Sequence, residues 1–216
     1  MVKKTKADAE FTRQHLLDTA ELLFLEHGVS RTSLQDIATA AGTTRGAIYW
    51  HFKDKADLFN AMMERVVLPM EQALQSAAST ARTGTGSPLQ HLMNTMLAAL
   101  HATVHDPQTR RVFQIATHKV EYVAELQAVA VRRLEIMRSL VGVTEQAIAL
   151  TLAQKGRTAG QTTSQPLPMP LPTAALGLHM LVDGLITNWL LDTQAFDLEE
   201  VGRQTLLNYV RGLGLD

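Results

Sequence analysis

Residues Thr43 to Lys55, TTRGAIYWHFKDK, concentrate side chains able to recognise a polyanion. Arg45 can donate two parallel hydrogen bonds to a guanine edge, the best geometric match in the major groove of DNA. Thr44, Tyr49 and His51 carry hydroxyl or ring N–H donors suited to phosphate oxygens. Lys55 stands where a further helix should begin, so its charge and the first-turn amides attract the same anion. Thr32 and Ser33 hold the equivalent place before an earlier helix, and Thr43 adds a polar group beside the turn. Gly46 inside so short a helix costs roughly 1 kcal/mol against alanine, which implies a close approach to its backbone. The candidate DNA-binding residues are therefore Thr32, Ser33, Thr43, Thr44, Arg45, Gly46, Tyr49, His51 and Lys55.

A recognition helix acts only if partner helices fix its angle to the duplex. Leu16, Leu17, Ala20, Leu23 and Phe24 recur at helical spacing, with Asp18, Glu21 and Glu26 between them and Gly28 as a stop. Ser33 followed three residues later by Asp36 has the form of a capping box, and Leu34, Ile37, Ala38 and Ala41 continue it as a short apolar stripe ended by Gly42. Thr44 can cap a third helix, Arg45 to His51, on which Ala47, Ile48, Trp50 and Phe52 are expected to face inward. This is the layout of a helix-turn-helix, assigned to residues 1–55.

Composition narrows the remaining classes. The chain has 216 residues and a formal charge of −1; residues 1–55 hold eight Lys and Arg against seven Asp and Glu, so the basic character is local rather than domain-wide. It lies at Arg45, His51, Lys53 and Lys55, opposed by Asp54, and at Lys3, Lys4 and Lys6. Without cysteine there is no disulfide, thiol catalysis or Cys-held metal. No apolar run follows the first lysines, and the stretch free of acids and bases, Thr158 to Val182, is broken by four prolines. A cytoplasmic protein without a membrane span is expected. His101 and His105 share a helical face, yet no catalytic glutamate follows and Asp106 falls one residue too late, so solvated histidines are expected, with no metal and no cofactor. No nucleophile, acid–base pair or phosphate loop is apparent, so catalytic residues are assigned as none.

The rest of the chain, 56–216, reads as helix after helix and predicts an all-α fold: an N-terminal three-helix helix-turn-helix domain plus a larger C-terminal helical domain. Asp54 caps a fourth helix, with Pro69 expected to kink or divide it. A linker is expected over Ser79 to Ser87, then a helix from Pro88 to His105, another from Pro107, and a long one through Leu126 to Leu152. Lys155 to Thr173 reads as a loop, with closing helices over Ala174 to Leu191 and Leu198 to Leu213. The closing pair carries more apolar residues than one face needs, which predicts a homodimer through the last two helices.

Thr32 to Lys55, TSLQDIATAAGTTRGAIYWHFKDK, resembles the DNA-binding segment of the tetracycline-repressor (TetR) family of bacterial regulators. Looser likenesses at Met1 to Lys6, Asp106 to Arg111 and Leu181 to Ile186 are similar to multidrug-efflux repressors of the AcrR and TtgR type. Thr43 departs from the valine that such proteins often carry. The resemblance implies a repressor of an efflux operon that binds a palindromic double-stranded operator and is released by a hydrophobic small-molecule inducer. It implies a ligand site lined by Leu92, Thr95, Met96, Ala99, Phe113, Thr117, Leu140, Thr144, His179, Val182, Asp183 and Ile186, less polar at Phe113 and Thr117 than in a close relative. Two alternatives are a TetR-family regulator of lipid or metabolite genes and, in another class, a helical metal- or haem-binding protein using the histidines.

Overall fold

The computed structural model describes residues 6–82, 87–158 and 167–215, and all regular structure among them is helical. In order the helices are α1 (Lys6–His27), α2 (Leu34–Ala40), α3 (Arg45–His51), α4 (Lys55–Arg82), α5 (Pro88–His105), α6 (Pro107–His118), α7 (Gln127–Thr158), α8 (Leu171–Trp189) and α9 (Leu198–Gly212). A 3-10 turn, Ala124–Leu126, precedes α7. The chain forms two compact units, residues 1–66 with 111–133, and residues 67–110 with 134–216. The first unit therefore takes in, besides residues 1–55, the start of α4 and most of α6.

In the first unit, Leu16, Leu17, Ala20 and Phe24 of α1 are buried with Ile37 and Ala38 of α2, Ile48 of α3, and Leu58, Phe59 and Met62 of α4. Phe24 and Phe59 meet at 6.3 Å between ring centroids. Gly28 ends α1 with φ +85°, a conformation that would strain a side chain, and its N–H donates to Phe24 O at 2.9 Å. Among these core residues Glu21 of α1 is a fully buried carboxylate. Arg65 Nη1 and Arg111 Nε each donate to it at 3.0 Å, and Arg65 Nη2 also reaches Asp18 at 2.8 Å. Two guanidinium groups from α4 and α6 thus compensate the one carboxylate that α1 turns inward.

In the second unit, Leu92, Met93 and Leu100 of α5, Ala174, Ala175 and Leu178 of α8, and Leu206 and Val210 of α9 form the core. Glycines set its spacing. A methyl at Gly202 would collide with Leu100 Cδ1, and one at Gly177 with the ring of Tyr209, whose Cζ would lie 2.8 Å away. Tyr209 donates its hydroxyl proton to Ala174 O at 3.3 Å, and burial raises its pKa.

Several expected boundaries shift. Pro69 lies inside α4 without dividing it, since it removes one hydrogen bond from a helix of 28 residues. The same helix runs on to Arg82, so the expected linker is shorter; its residues 83–86 lie outside the described residues, and Ser87 caps α5 by accepting from Gln90 N. The expected loop is trimmed at both ends, because α7 continues to Thr158 and α8 already starts at Leu171, where Pro172 suits a first turn whose N–H needs no partner. Residues 159–166, in the middle of that loop, lie outside the described residues. By length and composition alone, Ala124–Gly156 is the one described helix able to cross a membrane; it also carries Arg132, Arg133, Glu135, Arg138 and Glu145.

Candidate nucleic-acid interface

The turn between α2 and α3 is built by caps. Ser33 Oγ accepts from Asp36 N at 3.1 Å while Asp36 Oδ2 accepts from Ser33 N at 2.8 Å, the reciprocal capping box. These Ser33 hydrogen bonds, side-chain first, hold the Asp36 carboxyl below its ordinary pKa of 3.8. Gly42 takes φ +64° to reverse the chain, and Thr43 N donates to Ala38 O at 2.9 Å. Thr44 Oγ1 then accepts from Ala47 N at 3.2 Å, starting α3. With Ile48 wholly buried, α1, α2 and α3 pack together, and the first turn of α3 projects outward.

On that outer face Thr44, Arg45, Gly46 and Tyr49 are exposed, while Thr43 and His51 are half-buried. The Arg45 guanidinium lies 5.5 Å from the Tyr49 ring centroid, a cation–π contact that steadies two long side chains at the surface. A Cβ at Gly46 would meet only Thr44 Oγ1, at 3.9 Å. Nothing inside the fold therefore requires glycine there.

Three of the nine expected DNA-contacting residues are committed elsewhere. Thr32 is buried and donates to Gly28 O at 2.9 Å, Ser33 donates to Asp36 Oδ2 at 2.7 Å, and the Lys55 side chain is only 5% exposed. Lys55 Nζ donates to Ser30 O at 3.1 Å and pairs with Glu125 at 3.2 Å. Their donors tie the starts of α2 and α4 to neighbouring parts of the unit. Asp54 is accordingly not the sole acid near this basic group, because Glu125 joins it from 70 residues away. Trp50 corrects another expectation. It was expected in the core, yet it is 72% exposed and stacks edge-on against His51 at 4.6 Å, because the inward positions of so short a helix are already filled by Ile48 and Phe52.

Around α3 the surface forms a hollow of about 670 Å³ lined by Thr32, Ser33, Arg45, Tyr49, Lys53 and Lys55, among others. Arg31 and Gln35, which were not singled out from the sequence, also line it. Periodicity marks such residues only as solvent-facing.

The twelve residues expected to bind a ligand fall into helical stripes. Leu92, Thr95, Met96 and Ala99 share one face of α5; His179, Val182, Asp183 and Ile186 repeat the same spacing on α8; and Leu140 and Thr144 are four apart on α7. Phe113 and Thr117 are four apart on α6 in the other compact unit. Leu92, Met96, Thr144 and Ile186 are buried, whereas Thr95, Ala99, Leu140, His179, Val182 and Asp183 are half-buried. Each threonine hydroxyl donates to the carbonyl four residues earlier, Thr95 to His91, Thr117 to Phe113 and Thr144 to Leu140, at 2.8–2.9 Å.

The profile of "Bacterial regulatory proteins, tetR family" matches residues 16–62, and that of the "MAATS-type transcriptional repressor, C-terminal region" matches 87–214. The chain belongs to the TetR family of bacterial regulators. It is 38% identical over 206 residues to the HTH-type transcriptional regulator AcrR of Shigella flexneri, covering 94% of this chain and 89% of that protein. The crystal structure of NalD, the secondary repressor of the MexAB-OprM multidrug efflux pump in Pseudomonas aeruginosa, is 36% identical and superposes with TM-score 0.83, covering 95% of this chain and 98% of that one. A SmeT–triclosan complex is 30% identical with TM-score 0.76, covering 93% and 90%; SmeT is the repressor of the Stenotrophomonas maltophilia pump SmeDEF. The all-α architecture, with a helix-turn-helix ahead of a larger helical domain, is that of this family.

Proposed function

We propose that the chain is a cytoplasmic, ligand-responsive repressor of a multidrug-efflux operon, with residues 1–55 reading a palindromic operator and 56–216 binding the inducer and dimerising. The observation that carries the reading is the exposed first turn of α3. Arg45, Tyr49 and an unobstructed Gly46 stand outward on a capped helix, while the neighbouring donors Thr32 and Lys55 are engaged with Gly28 O and Ser30 O. An arginine free to enter the major groove supplies base readout, and a glycine with open space above it lets a sugar–phosphate backbone come close. A homodimer through α8 and α9 would present two such helices about 34–36 Å apart, one turn of duplex, or a multiple of that. The apolar Leu176 and Met180 remain exposed on α8, as an unpartnered seam would leave them.

The inducer side of the proposal rests on the three helical stripes of the second unit. Because the threonines already donate to their own helices, their oxygens are left to accept, which favours ligands with a hydroxyl or N–H on an aromatic or aliphatic body. The complex of the relative SmeT with triclosan accords with a ligand of this kind. Helices α4, α6 and α7 each contribute residues to both compact units, so the chain itself offers a route for coupling, for which 1–3 kcal/mol is typical. Fluorescence anisotropy with the intergenic DNA beside the gene tests the reading. Arg45→Ala should weaken operator binding by about 1–3 kcal/mol with inducer affinity unchanged. Undiminished binding by the variant would remove α3 as the reading element.

A further inference from the structure

His101 and His105 lie one turn apart at the C-terminal end of α5, and the fold brings a third donor to them from 94 residues away. Glu199, in the first turn of α9, receives His101 Nδ1 on Oε1 at 2.7 Å and His105 Nε2 on Oε2 at 2.9 Å. The two imidazole rings lie 4.3 Å apart between centroids, tilted by 40°, and one ligating atom from each residue lies within 4.8 Å of the others. We propose that His101, His105 and Glu199 form a surface site for a divalent transition cation such as zinc, nickel or cobalt, which clamps α5 to α9.

The backbone around this cluster is fixed independently of it. Gly202, three residues beyond Glu199, closes on Leu100, the residue before His101, so that α9 approaches α5 more closely than any side chain at that position would permit. Asp197 Oδ1 accepts from Glu199 N at 3.0 Å and Glu200 N at 2.9 Å, which holds the first turn of α9 in place. Asp106, the acid adjacent to His105, is engaged instead in starting α6, where it accepts from Gln108 N and Thr109 N. The three donors are therefore presented from two packed helices rather than from a loop, and only their side-chain torsions need to change.

Bond lengths decide whether an ion fits. Imidazole nitrogens bind zinc at about 2.0–2.1 Å and carboxylate oxygens at about 2.0–2.2 Å, so tetrahedral ligands lie roughly 3.4 Å apart. The separations here need changes of about an ångström, with each His–Glu hydrogen bond giving way to two bonds through the metal. Two nitrogen donors out of three select zinc, nickel, cobalt or copper over magnesium and calcium, which prefer all-oxygen shells. Three protein ligands leave at least one position for water or a small ligand, because the cluster faces solvent.

Cobalt(II) titration of the full-length, tag-free protein, stripped with a chelator, tests the proposal. Visible d–d bands should grow and saturate at one equivalent per chain, and zinc or nickel should raise Tm by several degrees while magnesium leaves it unmoved. His101→Asn/His105→Asn and Glu199→Gln should each abolish the bands while retaining the far-UV circular dichroism of the parent, with the six other histidines still present. On the unsubstituted protein, zinc should slow diethylpyrocarbonate modification of His101 and His105 several-fold without protecting His91. Failure to saturate at one equivalent, bands that survive in the double variant, or equal modification with and without zinc would overturn the site.

Discussion

Glu21→Ala should be the most damaging single change in the first compact unit. The carboxylate is wholly buried and accepts charge-assisted hydrogen bonds from Arg65 and Arg111, each at 3.0 Å. Losing two such bonds costs about 3–6 kcal/mol at face value, and removing one partner of a buried pair usually costs about 3–5 kcal/mol because the remaining charge is left uncompensated. The arginines are 21% and 29% exposed, and Arg65 keeps Asp18, so water and that second acid relieve part of the strain. An expected loss of about 3 kcal/mol follows, a large share of the 5–15 kcal/mol typical of a folded protein. Hydrogen exchange read by mass spectrometry locates the effect. Amides of α1, the first turns of α4 and the Arg111 end of α6 should exchange roughly a hundredfold faster, since each 1.4 kcal/mol is tenfold, while α9 should be little changed. Glu21→Gln preserves the shape and one hydrogen bond and should fall between the two. Unchanged exchange in α1, or equal acceleration in α9, would refute the claim that this acid locally ties α1 to α4 and α6.

Gly202→Val should destabilise by about 1–3 kcal/mol by driving a methyl into buried Leu100, whereas Gly142→Ala, with nothing within 4 Å of the added carbon, should stabilise α7 by about 0.5–1 kcal/mol; thermal melts give both signs. Trp50→Ala should leave the stability within about 0.5 kcal/mol of the parent, because most of the indole is already in water; a large loss would return Trp50 to the core. The Asp36 carboxyl is lowered in the folded state, so its contribution is fully present above the unfolded value and is lost as pH falls through the folded one. The stability difference between the parent and Asp36→Asn should accordingly shrink below pH 3.8, and a difference that persisted to lower pH would dissociate it from the α2 cap.

What the sequence made legible was whatever short-range pattern encodes. The capping box at Ser33 and Asp36, the Thr44 cap and the glycine at 42 are local events, and the structure realises each of them at the expected residue. Helix ends set by a proline were harder, because proline at a first turn and proline inside a helix look alike in sequence; Pro172 opens α8 while Pro69 is absorbed within α4. Trp50 escaped for a related reason: an aromatic at helical spacing usually packs, but a seven-residue helix has room for few inward positions.

The polar residues show the deeper limit. Thr32, Thr44, Arg45 and Lys55 are all donors suited to an anion, and nothing in their own neighbourhood tells which will face DNA and which will serve the scaffold. What their own neighbourhood cannot show are partners far along the chain: Glu125 takes the Lys55 ammonium, just as Glu199 gathers His101 and His105. An ammonium withdrawn in this way weakens the local positive field, yet it fixes the start of α4 beside α3. On the proposed reading Arg45 works from a rigid base rather than from a flexible loop, so less entropy would be lost when a groove immobilises it. Lys55→Met, which keeps the packing and removes the charge, separates these two roles. If Lys55 acts through position, operator binding should weaken together with stability, and the salt dependence of binding should keep its slope; a slope reduced by about one phosphate contact would mean that Lys55 itself meets the DNA.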